Sequence, residues 1–325
     1  MDARWIRSQE LELPYPSHSF SNQTIIVTGA NVGLGLEAAR HFVRLDASRV
    51  ILAVRSLPKG EAAKADIEAS VPNSTGVVEV WELDLAKYES VKSFAQKVDA
   101  EVDRVDVVCA NAGVAMMGFV MAEDCETTIT VNVISTILLA ILLLPKLRQS
   151  ADEHKILPRL SIVTSGTHAR AKFLEGKEED VFKALADGSK VDMVDRYSTS
   201  KLVELLAARE MIHHVRPDPK IVINFVSPGF CKSELTRNAT GDLAAHYADL
   251  AKKYGRTTEA GSRTLVHGAV IGVESHGKYL ADCEVQEDSV SEFVRSPEGK
   301  EMQKKIWTQL MEKLETIQPD IRSYL

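Results

Sequence analysis

Cysteine is scarce in this sequence. Cys109, Cys125, Cys231 and Cys283 are the four in 325 residues, far apart and without a C-x-x-C spacing. A disulfide scaffold is thereby excluded, and a reduced, cytoplasmic chain is expected. Basic excess is missing as well: 39 Lys and Arg stand against 46 Asp and Glu, a net charge of −7. A nucleic-acid partner needs a basic face and a polybasic membrane anchor needs a cationic cluster, so both are disfavoured. The N-terminus has no apolar signal core, so the sequons at Asn22, Asn73 and Asn238 carry little weight. The nine histidines form no metal-ligand pattern, and the adjacent His213 and His214 cannot share one helix face. No metal is expected. Internal repeats and low-complexity tracts do not occur.

A full membrane span is also lacking. The most apolar run, 131–147, is shorter than the roughly 20 residues a spanning helix needs. It also carries Asn132, Ser135 and Thr136. A helix apolar all round is what a buried core or interface helix looks like, and the core reading is preferred.

What the sequence does contain is a strand–helix rhythm. Apolar, β-branched runs at 24–28, 50–54, 77–81, 105–109, 160–164 and 221–225 read as strands. Several are apolar at successive positions, as in a parallel sheet buried on both faces. Helical patterns lie between them at 34–45, 59–70, 88–102, 127–147 and 197–213. The expected fold is α/β: a Rossmann-type doubly wound parallel sheet of about seven strands, helices on both faces, in a single domain over 23–325. Residues 1–22 read as an extension, where Pro14 and Pro16 disfavour helix. Two segments break the rhythm. The polar stretch 166–195 separates a strand from a helix as an insertion or lid, and 233–256 reads as irregular and substrate-side. Met193, Phe173, Leu174 and Tyr247 are candidates for an apolar pocket there. Near the end, Ser296 and Pro297 start a helix whose Met302, Ile306, Leu310, Met311 and Leu314 share one stripe, with Trp307 beside them.

The first strand runs into Gly29-Ala30-Asn31-Val32-Gly33-Leu34-Gly35 before the first regular helix of that rhythm. Such a turn lets backbone approach a pyrophosphate, and the helix N-terminus adds free N–H groups and partial positive charge. Strand two ends at Arg55, 20 residues beyond the last glycine, where NAD enzymes place a carboxylate for the ribose 2′-hydroxyl. A guanidinium suits a 2′-phosphate instead, so NADP(H) is the expected cofactor. Asp84, followed by Leu85, either accepts from the adenine amino group or caps the next helix. Asn111-Ala112-Gly113 supplies small residues that let backbone lie against a flat ligand.

Tyr197 and Lys201 stand at i and i+4, on one helix face. A tyrosine ionises near pH 10, and a nearby ammonium favours the phenolate, so the pair is suited to proton exchange. Ser165 ends strand five at the sheet edge where ligands bind. Asn132, near the start of the apolar helix, needs a hydrogen-bond partner there.

Taken together, these residues resemble the short-chain dehydrogenase/reductase superfamily. TGxxxGxG appears as Thr28 to Gly35, NAG as Asn111 to Gly113, the active-site asparagine as Asn132, the serine as Ser165, YxxxK as Tyr197 to Lys201, and Pro-Gly as Pro228-Gly229. Details around these motifs are similar to the retinol dehydrogenase and WW-domain oxidoreductase branch, and the two ends to fungal relatives, many in secondary-metabolite pathways. The resemblance implies that Tyr197 exchanges a proton with the substrate oxygen and that Lys201 holds the nicotinamide ribose and lowers the tyrosine pKa. It implies that Ser165 polarises the carbonyl and that Asn132 holds a water linking Lys201 to solvent. Pro228 and Gly229 would wall the nicotinamide, Ser233 would bond its carboxamide in place of the usual threonine, and residues 134–144 would pair subunits in a homodimer. Ser165 and Tyr197 are 32 residues apart, longer than the minimal family pattern. The expected activity is NADP(H)-dependent reduction of a ketone or aldehyde, or its reverse, on a small apolar molecule. A membrane-associated retinoid or lipid alcohol dehydrogenase and a non-catalytic NADP(H)-binding scaffold are the alternatives.

Overall fold

In the computed structural model, which describes residues 3–215 and 220–325, the apolar runs become strands. In chain order these are β1 (Thr24–Thr28), β2 (Arg49–Val54), β3 (Val78–Glu82), β4 (Val107–Ala110), β5 (Met121–Ala122), β6 (Cys125–Glu126), β7 (Arg159–Val163), β8 (Val222–Ser227), β9 (Tyr279–Ala281) and β10 (Glu284–Val285). The helices are α1 (Ala3–Glu10), α2 (Gly33–Arg44), α3 (Leu57–Ser70), α4 (Tyr88–Glu101), α5 (Thr127–Ile129), α6 (Thr136–His154), α7 (Val181–Leu185), α8 (Met193–His214), α9 (Gly241–Tyr254), α10 (Thr258–Val270), α11 (Glu292–Arg295) and α12 (Pro297–Ile317).

Eight strands form one sheet in the order β3-β2-β1-β4-β7-β8-β9-β10. The first seven in that order are parallel, and β10 closes the edge antiparallel to β9. The doubly wound parallel sheet expected from the sequence is thus present. Strand order reverses between β1 and β4, which opens the crevice where such sheets bind ligands. The central strands are apolar throughout because both faces are covered: every residue of β4 and β8 is buried. One core lies under α4, α6, α8 and α12, the other under α2, α3 and α10.

The most apolar helix passes a length-and-composition test for crossing a membrane, yet 89% of its most apolar window is buried inside the protein. It is a core helix. Across 134–144 all residues are buried except the half-exposed Leu142, which leaves no apolar face there for a second subunit. This removes the basis for pairing through 134–144. The C-terminal α12 packs on α8, capped as expected by Ser296, whose Oγ accepts from Gly299 N–H at 3.0 Å.

Three segments depart from expectation. The 166–195 insertion is packed rather than a free lid. Val181, Phe182 and Leu185 enter the core. Gln309 Nε2 donates to Glu179 O at 2.7 Å, and Val181 N–H donates to Gln309 Oε1 at 2.9 Å. The 233–256 stretch is mostly helix: α9 is rich in Ala and Leu, which favour helix, and buries none of its residues. Its Leu243, Tyr247, Leu250 and Tyr254 share one stripe and are half-exposed. Finally, the extension before Pro14 is helical, as α1.

Helix α1 is a strap across this side of the molecule. Gln9 is 7% exposed. Its Nε2 donates to the carbonyls of Phe230 and Tyr254, and its Oε1 accepts from Phe230 N–H, all at 2.9 Å. Trp5 packs against the rings of Phe230 and Tyr254. Buried Arg256 donates to the carbonyls of Pro228 at 3.0 Å and of Ser8, and to Asp282 Oδ1 at 2.6 Å. Gln9→Ala leaves three backbone groups without partners. Urea denaturation is expected to show a loss of about 1–3 kcal/mol, and unchanged stability would contradict the strap.

Candidate active site

The glycine turn sits at the reversal point of the sheet. Gly29 and Gly33 both have φ of +64°, a conformation that disfavours other residues. A Cβ on Gly35 would lie 2.5 Å from Asn111 Nδ2 and 2.6 Å from the Gly29 carbonyl oxygen. The close approach has a purpose in the fold. Asn111 Nδ2 donates to Thr28 O at 2.9 Å, and Ala112 N–H donates to Thr28 Oγ1 at 2.9 Å, tying the end of β4 to the end of β1. Helix α2 then begins at Gly33, and its N-cap residue Val32 makes no side-chain cap. The first N–H groups of the helix are therefore open to an anion. Asn31, Val32, Gly33 and Leu34 are all half-exposed around this opening. A Cβ on Gly33 would stand 3.9 Å from Ser233 Cβ and 4.0 Å from Thr258 Cγ2, so the segment after Pro228-Gly229 closes over the turn. The fit to a dinucleotide pyrophosphate is good.

At the end of β2, Arg55 is exposed and has no ion-pair partner among the described residues. Asp84 Oδ1 accepts from Ala86 N–H at 3.1 Å, which uses one oxygen in a local turn, and α4 is capped at Lys87 instead. Leu85 is a core side chain, so only its backbone can face a ligand.

The chemical groups gather beyond β7. Tyr197, half-buried on α8, hydrogen-bonds Ser165 despite the long insertion between them. Ser165 Oγ also accepts from Thr167 N–H at 3.2 Å and Thr167 Oγ1 at 3.0 Å. Beneath it, buried His168 fixes the turn. One ring nitrogen lies 2.7 Å from Ser165 O and the other accepts from Ser291 N–H at 3.0 Å. Burial holds this imidazole below its ordinary pKa, hence neutral. The insertion is anchored by Arg196, fully buried, which lies 3.6 Å from Glu126 and 3.2 Å from Glu175. That anchoring is why 32 extra residues leave Ser165 beside Tyr197.

Lys201 Nζ is buried and donates to Val163 O at 2.8 Å and to both oxygens of Glu204 at 3.0 Å. Glu204 was not singled out in the sequence, although it stands three residues from Lys201 and seven from Tyr197, on their helix face. Burial pushes its carboxyl up to about 7, against the pull of Lys201 and Thr164. The expectation that Lys201 lowers the tyrosine pKa is reversed here. Burial first, then the Glu204 carboxylate, holds the Tyr197 phenol above its ordinary value, while Ser165 pulls it down. The physical reason is that Lys201 spends its charge on Glu204.

Asn132 lies in a π-helical turn, Thr130–Ser135, between α5 and α6. Such turns are frequent at functional sites. Its Nδ2 donates to Val114 O and Ser200 Oγ, both at 2.9 Å, and its Oδ1 accepts from Val114 N–H at 2.9 Å. Both amide protons are thus committed inside the protein. Gly113 is held close by: a Cβ there would stand 3.3 Å from Asn132 Oδ1 and 3.8 Å from Lys201 Nζ.

On the far wall, Gly229 has φ of +77°, and a Cβ there would lie 2.7 Å from both Arg256 Nη1 and Gln9 Oε1. Cys231 and Tyr247 stand near enough to Tyr197 to act on its ionisation, which puts α9 over the site. Of the expected pocket residues, Tyr247 is therefore at the site and Met193 is half-exposed at the start of α8. Phe173 is a core side chain and Leu174 is 58% exposed, because the insertion folds inward around Phe173. Among the described residues, Asp103, Glu153 and His154 are close enough to share an ion. They lie at the opposite edge of the sheet, with both acids exposed, and have no part in this site.

Residues 23–158 match the family model of the short chain dehydrogenases. Over 318 residues the chain is 45% identical to the short chain dehydrogenase/reductase dmxR8 of Cryptosporiopsis sp. (strain 8999), covering 96% of each. It is 45% identical over 316 residues to the short-chain dehydrogenase anuD of Penicillium roqueforti, covering 96% of this chain and 82% of that one. Among solved structures, the Pseudomonas aeruginosa RhlG/NADP active-site complex is similar with a TM-score of 0.61 at 20% identity, over 82% of this chain and 97% of that chain. Salutaridine reductase from Papaver somniferum is similar with a TM-score of 0.58 at 20% identity, over 79% of this chain and 99% of that chain. The structural likenesses establish the fold, and the sequence relatives establish more: the chain belongs to the short-chain dehydrogenase/reductase family, oxidoreductases acting on CH–OH and C=O groups.

Proposed function

We propose that this chain interconverts a small apolar ketone or aldehyde and its alcohol with NADP(H), using Tyr197 as the acid/base group. The observation that carries the reading is the hydrogen bond between Ser165 and Tyr197, on the same edge of the sheet as the glycine turn. When bound, NADPH supplies the hydride for the carbonyl carbon. The residues that would hold it are the turn Gly29 to Gly35, Arg55 at the 2′-phosphate, Asp84 and Leu85 beside the adenine, and Asn111, Ala112 and Gly113. Lys201, Pro228, Gly229 and Ser233 would hold the nicotinamide end. Ser165 donates to the substrate oxygen and orients it. Tyr197 gives its proton to that oxygen in reduction and takes it back in oxidation. Asn132 keeps Gly113 and α8 in register through Val114 and Ser200.

The half-exposed stripe of Leu243, Tyr247 and Leu250 on α9 supports an apolar substrate, and the fungal relatives support a secondary metabolite. Four unpaired cysteines favour a cytoplasmic setting. A membrane role draws no support from the apolar helix, which the core uses. A scaffold role has no use for the buried Lys201–Glu204 pair at the tyrosine.

Two outcomes follow. Calorimetric titration should give tighter binding of NADPH than NADH, and Arg55→Ala should weaken NADPH by about tenfold or more, a charged hydrogen bond being worth about 1.5–3 kcal/mol. Equal weakening of NADH would remove Arg55 from the 2′-phosphate. Tyr197→Phe should lower turnover by about 10²–10⁴-fold with NADPH affinity retained. Normal turnover in that variant would sink the assignment.

A further inference from the structure

A buried lysine and a buried glutamate face each other next to the tyrosine. Lys201 is 3% exposed and Glu204 is 1% exposed. Their contact is two-pronged at 3.0 Å, from one turn of one helix, so geometry fixes it. An ion pair held this closely presents almost no net charge to a third group, whereas a lone ammonium would draw the phenol toward ionisation. Carboxylate removal from such a pair leaves a buried charge uncompensated.

We propose that Glu204 is a positioning residue that balances Lys201 and so keeps Tyr197 a protonated phenol, ready to donate, across the neutral range. The inference rests on the reading of Tyr197 as the proton-exchanging group. It accounts for a carboxylate in a place where it opposes phenolate formation. The surroundings leave the effect to this pair. From the end of β7, Glu204 meets the Thr164 hydroxyl, Lys201 meets the Val163 carbonyl and Tyr197 meets Ser165. From the turn after β4 and from the π-helical turn, the neighbours are the uncharged Gly113 and Asn132. From the segment over the site, the titratable groups acting on Tyr197 are the Cys231 thiol and the Tyr247 phenol. Burial pushes the Cys231 thiol up to about 12, so it is neutral in the working range. Arg256 lies behind Cys231 and is paired with Asp282.

Glu204→Gln keeps shape and removes charge. In cofactor-free protein, the ultraviolet signal of tyrosinate formation at Tyr197 is isolated by subtracting Tyr197→Phe in each background. Glu204→Gln is expected to move this ionisation down by one pH unit or more, a tenfold change in its constant, and Glu204→Asp to restore most of it. The alkaline limb of kcat/KM for carbonyl reduction should move the same way. If Glu204→Gln does not fold, Glu204→Asp alone should give a smaller downward shift, since it lengthens the pair. Identical tyrosinate titrations in the parent and the folded variants would overturn the proposal. The titration needs no turnover, so a shift in protein that reduces no carbonyl compound keeps the pair and discards the functional reading. An active enzyme with an unmoved titration does the reverse.

Discussion

The tie between Thr28 and the Asn111-Ala112 turn is the constraint on which the site depends. It joins the ends of β1 and β4 where the strand order reverses. Two neighbouring strands whose connections leave in opposite directions would otherwise leave a gap filled by side chains. Here the gap is held open by glycine. Gly29 packs against Ala112, and Gly35 against Asn111, at distances no side chain tolerates. The helix that follows starts without a side-chain cap, so its open N–H groups are part of the same economy of space. Everything downstream, from Ser165 at the end of β7 to Ser233 over the turn, is positioned relative to this edge.

Around that edge the chain adds stiff supports where loops would be expected. The insertion before α8 is held by α12 and by buried Arg196, and Ser165 is held by the neutral His168. On the opposite side α1, from before the glycine turn in sequence, secures the Pro228–Phe230 segment and the end of α9. Helix α9 itself buries nothing, and so is the one long element over the site left free to meet a ligand. The result is a rigid chemical centre under a lightly attached wall.

The legible part of this was the part governed by local rules. Uniformly apolar strands such as β4 and β8 announce a sheet covered on both faces, and the glycine turn announces itself by position. Tyr197 and Lys201 share a face by helix geometry alone. What was not legible depended on long-range partners. Nothing local in Phe173 or the 166–195 stretch says that it folds inward onto α12. The helicity of α9 was hidden because its apolar stripe is half-exposed and ends at two lysines. Pro14 and Pro16 drew attention from the helix before them. Glu204 was within reach, since a glutamate three residues after Lys201 falls on its face. Its burial, however, comes from packing that no spacing rule reveals. The pairing surface expected at 134–144 failed for the converse reason: an all-apolar helix serves a core as well as an interface.

The most direct test of the central claim is the fate of the hydride. With NADPH deuterated at the transferring position of its nicotinamide C4 and an apolar ketone, mass spectrometry and NMR of the alcohol should show one deuterium on the carbinol carbon. It should be delivered to a single face and lost in Tyr197→Phe. Consumption of NADPH with no deuterium on that carbon would contradict the account.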